Sequence, residues 1–108
     1  MKSSVRSHRG VVRVFPMASP WHYVVIPKEK YQGFPAVRAF GMMPIVATVG
    51  KTSWKTALLP LGKYGGESQF FIALKALVRK REGIREGDTI TISFVPDDSR
   101  VRREHLKR

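Results

Sequence analysis

Ile45-Val46-Ala47-Thr48-Val49-Gly50-Lys51-Thr52-Ser53-Trp54-Lys55-Thr56-Ala57-Leu58-Leu59-Pro60 sets two β-branched, apolar-rich runs on either side of a glycine. Residues 45–49 and 53–59 read as strands. A glycine where the chain reverses takes a positive φ at little steric cost, so the segment is expected to be a β-hairpin. Pro60 has no N–H to give to a neighbouring strand and should end the second run.

The same punctuation recurs on both sides. Residues 11–15 are a β-branched run closed by Pro16, and residues 16–20 are expected to be a loop because Pro16 and Pro20 remove two ladder donors. Residues 21–26 form the next strand, ended by Pro27. Lys28-Glu29-Lys30-Tyr31 can begin a short helix that Gly33 and Pro35 cut off. After the hairpin, residues 61–66 are a glycine-rich loop and residues 68–72 another strand. The period then changes. In residues 73–82, Leu74, Leu77 and Val78 recur at i, i+3 and i+4, one face of a helix, while Lys75 and Arg79 point elsewhere. Gly83 stands where a helix C-cap glycine belongs, after Arg79, Lys80 and Arg81, whose charges suit the helix's negative end. Residues 83–88 are a turn. Residues 88–95 then alternate, with Ile90, Ile92 and Phe94 on one face and Thr89, Thr91 and Ser93 on the other, as in a half-buried strand.

Several short strands with one helix before the last of them make a small, mainly β barrel the expected architecture. Trp21, Trp54 and Phe94 are expected to meet in one closed interior. At 108 residues and 43% hydrophobic content there is material for one core and one domain. That domain is placed at residues 11–95, between a flexible basic arm at 1–10 and a basic tail at 96–108. The chain has no cysteine, which excludes a disulfide framework or thiolate metal site and fits a reducing cytoplasm. No apolar run approaches the ~20 residues of a spanning helix, and the charged N-terminus lacks the apolar stretch of a secretory signal.

Five segments in this order carry a resemblance: Trp21-His22-Tyr23-Val24-Val25-Ile26-Pro27, Ile45-Val46-Ala47-Thr48-Val49-Gly50, Trp54-Lys55-Thr56-Ala57-Leu58-Leu59-Pro60, Lys75-Ala76-Leu77-Val78-Arg79-Lys80 and Gly87-Asp88-Thr89-Ile90. Together they resemble a bacterial domain-of-unknown-function family, DUF1905, whose members are often fused to a YdeI/OmpD-associated domain. The resemblance implies a double-split β-barrel of about six to seven strands, related to the AbrB/MazE barrel, with one α-helix before the last strand. It implies no activity and no catalytic residues. Two features depart from the family pattern: a basic tail stands where the fused domain is expected, and the loop before Pro20 is short.

No catalytic motif is found, and the protein is expected not to be an enzyme. Gly50-Lys51-Thr52 lacks the upstream glycine of a phosphate-binding loop, because Ile45 occupies that position. The loop at 62–66 is expected to be a connection rather than an anion cradle. His8, His22 and His105 have neither a carboxylate nor a second histidine at ligand spacing, so no metal and no cofactor is expected. The few acids of the folded part, Glu82, Glu86 and Asp88 among them, read as turn and helix-end residues.

Charge is the strongest functional signal. Twenty Lys and Arg against eight Asp and Glu give +12, of which the arm holds +3 and the tail +2, leaving +7 on the folded part. Such a field attracts polyanions. Two readings follow. In the first, the protein is a non-catalytic binding module, with Trp21, His22, Tyr23 and Arg38 lining a pocket at the barrel's mouth. The alternative is electrostatic nucleic-acid binding through Lys51, Lys55, Lys75, Arg79, Lys80 and Arg81, with exposed aromatics stacking on bases. Edge strands can also pair between two copies of the chain, so a homodimer is a further possibility.

Overall fold

Gly50 adopts a φ of 57°, and the chain reverses there. The hairpin forms as the sequence predicts: β4 (Met43–Val49) pairs antiparallel with β5 (Thr52–Pro60), matching Val49 to Thr52, Ala47 to Trp54 and Met43 to Leu58. The computed structural model describes residues 5–15, 21–34, 41–61 and 69–97. Its other elements are β1 (Arg6–Val11), β2 (Arg13–Val14), β3 (His22–Ile26), a 3-10 turn at Lys28–Lys30, β6 (Phe70–Ala73), α1 (Ala76–Glu82) and β7 (Thr89–Pro96). The fold is mainly β, with one helix before the last strand.

The strands follow the order β1-β7-β4-β5-β6-β3-β2. Two long segments turn this sheet into a nearly closed barrel. β5 pairs with β4 along Thr52–Leu58 and then, at Leu59 and Pro60, with Phe71 and Phe70 of β6. β1 and β2 are parted only by Val12, yet β1 pairs with β7 and β2 with β3. The order therefore begins and ends on one continuous stretch of chain. Val12 is buried between its two halves, its N–H donating to Asp88 O at 2.8 Å and its carbonyl accepting from Gly87 N at 2.8 Å.

This corrects the expected flexible arm: Arg6 to Gly10 lie in β1, inside the barrel wall. The sequence Arg-Ser-His-Arg-Gly has no apolar periodicity because its pairing rests on polar partners, such as the Ser7–Ser93 hydroxyl contact at 3.1 Å. Gly10 marks a close approach of β1 to β3. A Cβ there would lie 2.8 Å from Val24 Cγ1, so only glycine lets β1 come this close to β3.

The main interior is filled by Val24, Ile26, Ile45, Ala47, Leu58, Ile72, Ile92 and Phe94, all at most 1% exposed. Trp54 joins it, but Trp21 does not. Trp21 precedes β3 and is 49% exposed, which corrects the expected meeting of both indoles with Phe94. A smaller cluster holds Phe15, Leu61 and Phe71, with Tyr23, Val25 and Leu59 packed against it.

Helix α1 starts at Ala76, three residues later than the periodicity predicts, because Ala73 still pairs with Tyr23 in β6. Leu74 thus lies before the helix, its burial set by the strand exit rather than by helical phase. Val78 is the helix's buried residue, and Leu77 is 58% exposed, against the predicted apolar face. Gly83 closes the helix with a φ of 65°. Glu82 ties the helix end to the hairpin: its Oε2 accepts from Thr52 Oγ1 at 2.6 Å and from Lys51 N at 3.3 Å.

Candidate functional site

The start of β3 and the passage from β6 into α1 face one another. Backbone bonds set both sides: Leu74 N donates to His22 O at 2.9 Å, and Phe15 N donates to Trp21 O at 3.0 Å. Lys75 is extended, with φ −61° and ψ 151°, and turns the chain away from the sheet into the helix. Between them lies a pocket of about 300 Å³, lined by Trp21, His22, Ala73, Leu74, Lys75, Ala76 and Arg79. That volume is at the lower end of the roughly 300–1,000 Å³ of small-molecule sites, so a fitting occupant is small.

Two cations border it. Arg79 is half-buried, and its Nε donates to Leu74 O at 3.2 Å. That bond ties one edge of the guanidinium to the scaffold. Among the described residues the terminal nitrogens have no carboxylate partner, and their fork matches a carboxylate or phosphate. Lys75 is exposed. Among the described residues, neither cation forms an ion pair with a carboxylate.

His22 completes the polar lining. Burial lowers its pKa below the ordinary 6.5 and the Arg79 charge lowers it further, with Glu86 acting weakly the other way. The ring is therefore neutral at pH 7. Its Nδ1 is buried and, among the described residues, without a hydrogen-bond partner. A buried lone pair is cheaper to leave unmatched than a buried N–H, so the favoured tautomer carries its proton on Nε2. Trp21 supplies the flat surface. Its indole is tilted 56° against Phe71 at 6.4 Å, which supports the ring while leaving about half of it in solvent.

The structure thus joins residues that the sequence assigned to two different readings. Trp21 and His22 came from the pocket set, Lys75 and Arg79 from the nucleic-acid set. Tyr23 does not join them, which corrects that expectation. Tyr23 is not among the pocket's lining residues; it stacks on Phe15 at 4.1 Å and meets Phe71 edge-on at 5.6 Å. Arg38 lies outside the described residues. Lys80 and Arg81 are exposed on α1, Lys51 is exposed in the hairpin turn, and Lys55 is exposed on β5. Sequence reasoning missed Ala73, Leu74 and Ala76 as lining residues, since small and aliphatic side chains at a strand exit carry no chemical signature.

Among the described residues, no three His, Asp or Glu side chains gather as metal ligands, and no helix is long and apolar enough to cross a membrane. No curated protein matches the chain. One family model does: Domain of unknown function (DUF1905) matches residues 4–94. The match starts ahead of β1 and reaches Phe94 in β7, so it takes in the stretch that closes the barrel as well as both sides of the pocket. The chain belongs to the DUF1905 family.

Proposed function

We propose that the protein is a non-catalytic binding module whose pocket between β3 and α1 holds a small anionic ligand. The observation that carries this reading is the pairing of Lys75 with a scaffold-anchored Arg79 in a pocket where, among the described residues, no carboxylate neutralises them. A non-catalytic role is supported by what surrounds His22. Among the described residues, the pocket lining holds no serine, threonine or carboxylate to partner its ring. A cysteine-free chain suits a cytoplasmic setting.

The test is a thermal-shift screen with small carboxylates and phosphate esters, on the wild type and on Lys75→Gln, a substitution at an exposed position. A ligand that binds only the native state raises the melting temperature. That rise should appear for an anionic member of the screen, shrink in Lys75→Gln and persist in Lys55→Gln. A screen in which no anion stabilises the wild type, or in which both variants respond equally, defeats the proposal.

A second reading is nucleic-acid binding. It is favoured by Lys80 and Arg81, which are exposed on the same short helix as Arg79, and by exposed Lys51 and Lys55 on the hairpin. Here affinity would fall steeply with salt, and replacing Lys80 and Arg81 would weaken it as much as replacing Lys75.

A further inference from the structure

From the same pocket we infer the class of its ligand: a phosphate monoester of a flat-ringed compound, the chemistry of a mononucleotide or of the phosphorylated end of a nucleic-acid strand. The inference rests on the anion-pocket reading above and narrows it. Three features point to this class. The first is the number of charges. Lys75 and Arg79 border one small volume, and a phosphate monoester carries roughly −1.5 to −2 at pH 7, whereas a carboxylate carries one charge. Three phosphate oxygens also match a guanidinium fork and an ammonium together.

The second is Trp21. A half-exposed indole beside two cations offers a ring a stacking surface within reach of the charges, and Phe71 braces it. The third is the floor. Ala73, Leu74 and Ala76 present short or buried side chains, so the space between Trp21 and α1 is mostly apolar. A flat ring uses such a space better than a bulky aliphatic ligand does. The neutral His22 adds a polar group without charge, suited to a sugar hydroxyl or a phosphate oxygen.

Calorimetric titration tests this with four probes: adenosine 5′-monophosphate, adenosine, inorganic phosphate, and a short 5′-phosphorylated oligodeoxyadenylate. The monophosphate should bind at least about tenfold more tightly than either adenosine or phosphate alone, since only it engages both the ring surface and the cations. Trp21→Ala should weaken the monophosphate and leave phosphate unchanged. Lys75→Gln should weaken the monophosphate and leave adenosine unchanged. If the oligonucleotide binds no better than the monophosphate, the source is a free nucleotide. If it binds far better and its affinity falls with salt, the source is a strand end. Phosphate binding as tightly as the monophosphate, with no effect of Trp21→Ala, would overturn the ligand class while leaving an anion pocket. Binding of none of the four, with other anions still stabilising the protein, would also overturn the class alone. Silence towards every anion would overturn both readings.

Discussion

Replacing Gly50 by alanine should cost the barrel far more than a surface turn substitution ordinarily does. Two separate effects meet at this residue. Its φ of 57° is a left-handed conformation, which costs a residue with a Cβ about 1 kcal/mol. The added Cβ would also run into the Glu82 carboxylate, which must then leave Thr52 Oγ1 and Lys51 N. The Thr52 bond is short and partly buried, so its loss is set at about 1–2 kcal/mol; the longer, exposed Lys51 bond adds little. The expected total is about 2–3 kcal/mol, or a fall in melting temperature of roughly 10 °C for a domain of this size. Urea unfolding of Gly50→Ala, Glu82→Ala and the double variant separates the two effects. Once Glu82 is removed, the alanine should cost only the conformational part, about 1 kcal/mol. An unchanged cost in the Glu82→Ala background would refute the proposed contact, and a total under about 0.5 kcal/mol would refute the argument as a whole.

Three further outcomes are expected. Gly10→Val puts side-chain atoms where Val24 Cγ1 already lies, so it should destabilise the barrel by about 1–3 kcal/mol in urea titrations; a neutral result would mean that β1 does not approach β3 as closely as described. Leu77→Glu should stay within about 0.5 kcal/mol of the wild type, while Ile92→Ala should lose about 2–5 kcal/mol, and the reverse order would move the core to the other side of the helix. Burial lowers the pKa of both His8 and His22 below 6.5, with Lys30 lowering His8 further and Arg79 lowering His22 further. The unfolded chain then binds protons more readily than the folded one, so stability should fall as pH drops from 8 through 6.5 towards the lowered native values. Replacing both histidines with glutamine should flatten that slope between pH 8 and 5.5, as read from urea midpoints; an unchanged slope would assign it to other groups.

What was legible in the sequence was whatever local chemistry decides. Gly50 forced the hairpin, Gly83 ended the helix, and the alternation of Ile92 and Phe94 placed β7 against the interior. What could not be read depends on long-range pairing. Arg6 to Gly10 form a strand because β7 lies beside them, although nothing apolar marks them as one. Ala73 looks like the first residue of a helix, but it is held in β6 by Tyr23. The site was legible in pieces. Trp21, His22, Lys75 and Arg79 were each singled out, but the two pairs are far apart in the chain, and only the pairing of β3 with β6 brings them together. Tyr23 is held away from the pocket by its packing on Phe15 and Phe71, which no local pattern shows.

The most direct measurement is the chemical-shift footprint of adenosine 5′-monophosphate on the ¹⁵N-labelled protein. Amides of Trp21, His22 and residues 73–79, with one indole signal, should move together and saturate at a single affinity, while Lys51, Lys55 and the Trp54 indole stay still. Shifts concentrated instead at Lys51, Lys55, Lys80 and Arg81, or spread weakly over every exposed base, would contradict a pocket built by β3 and α1.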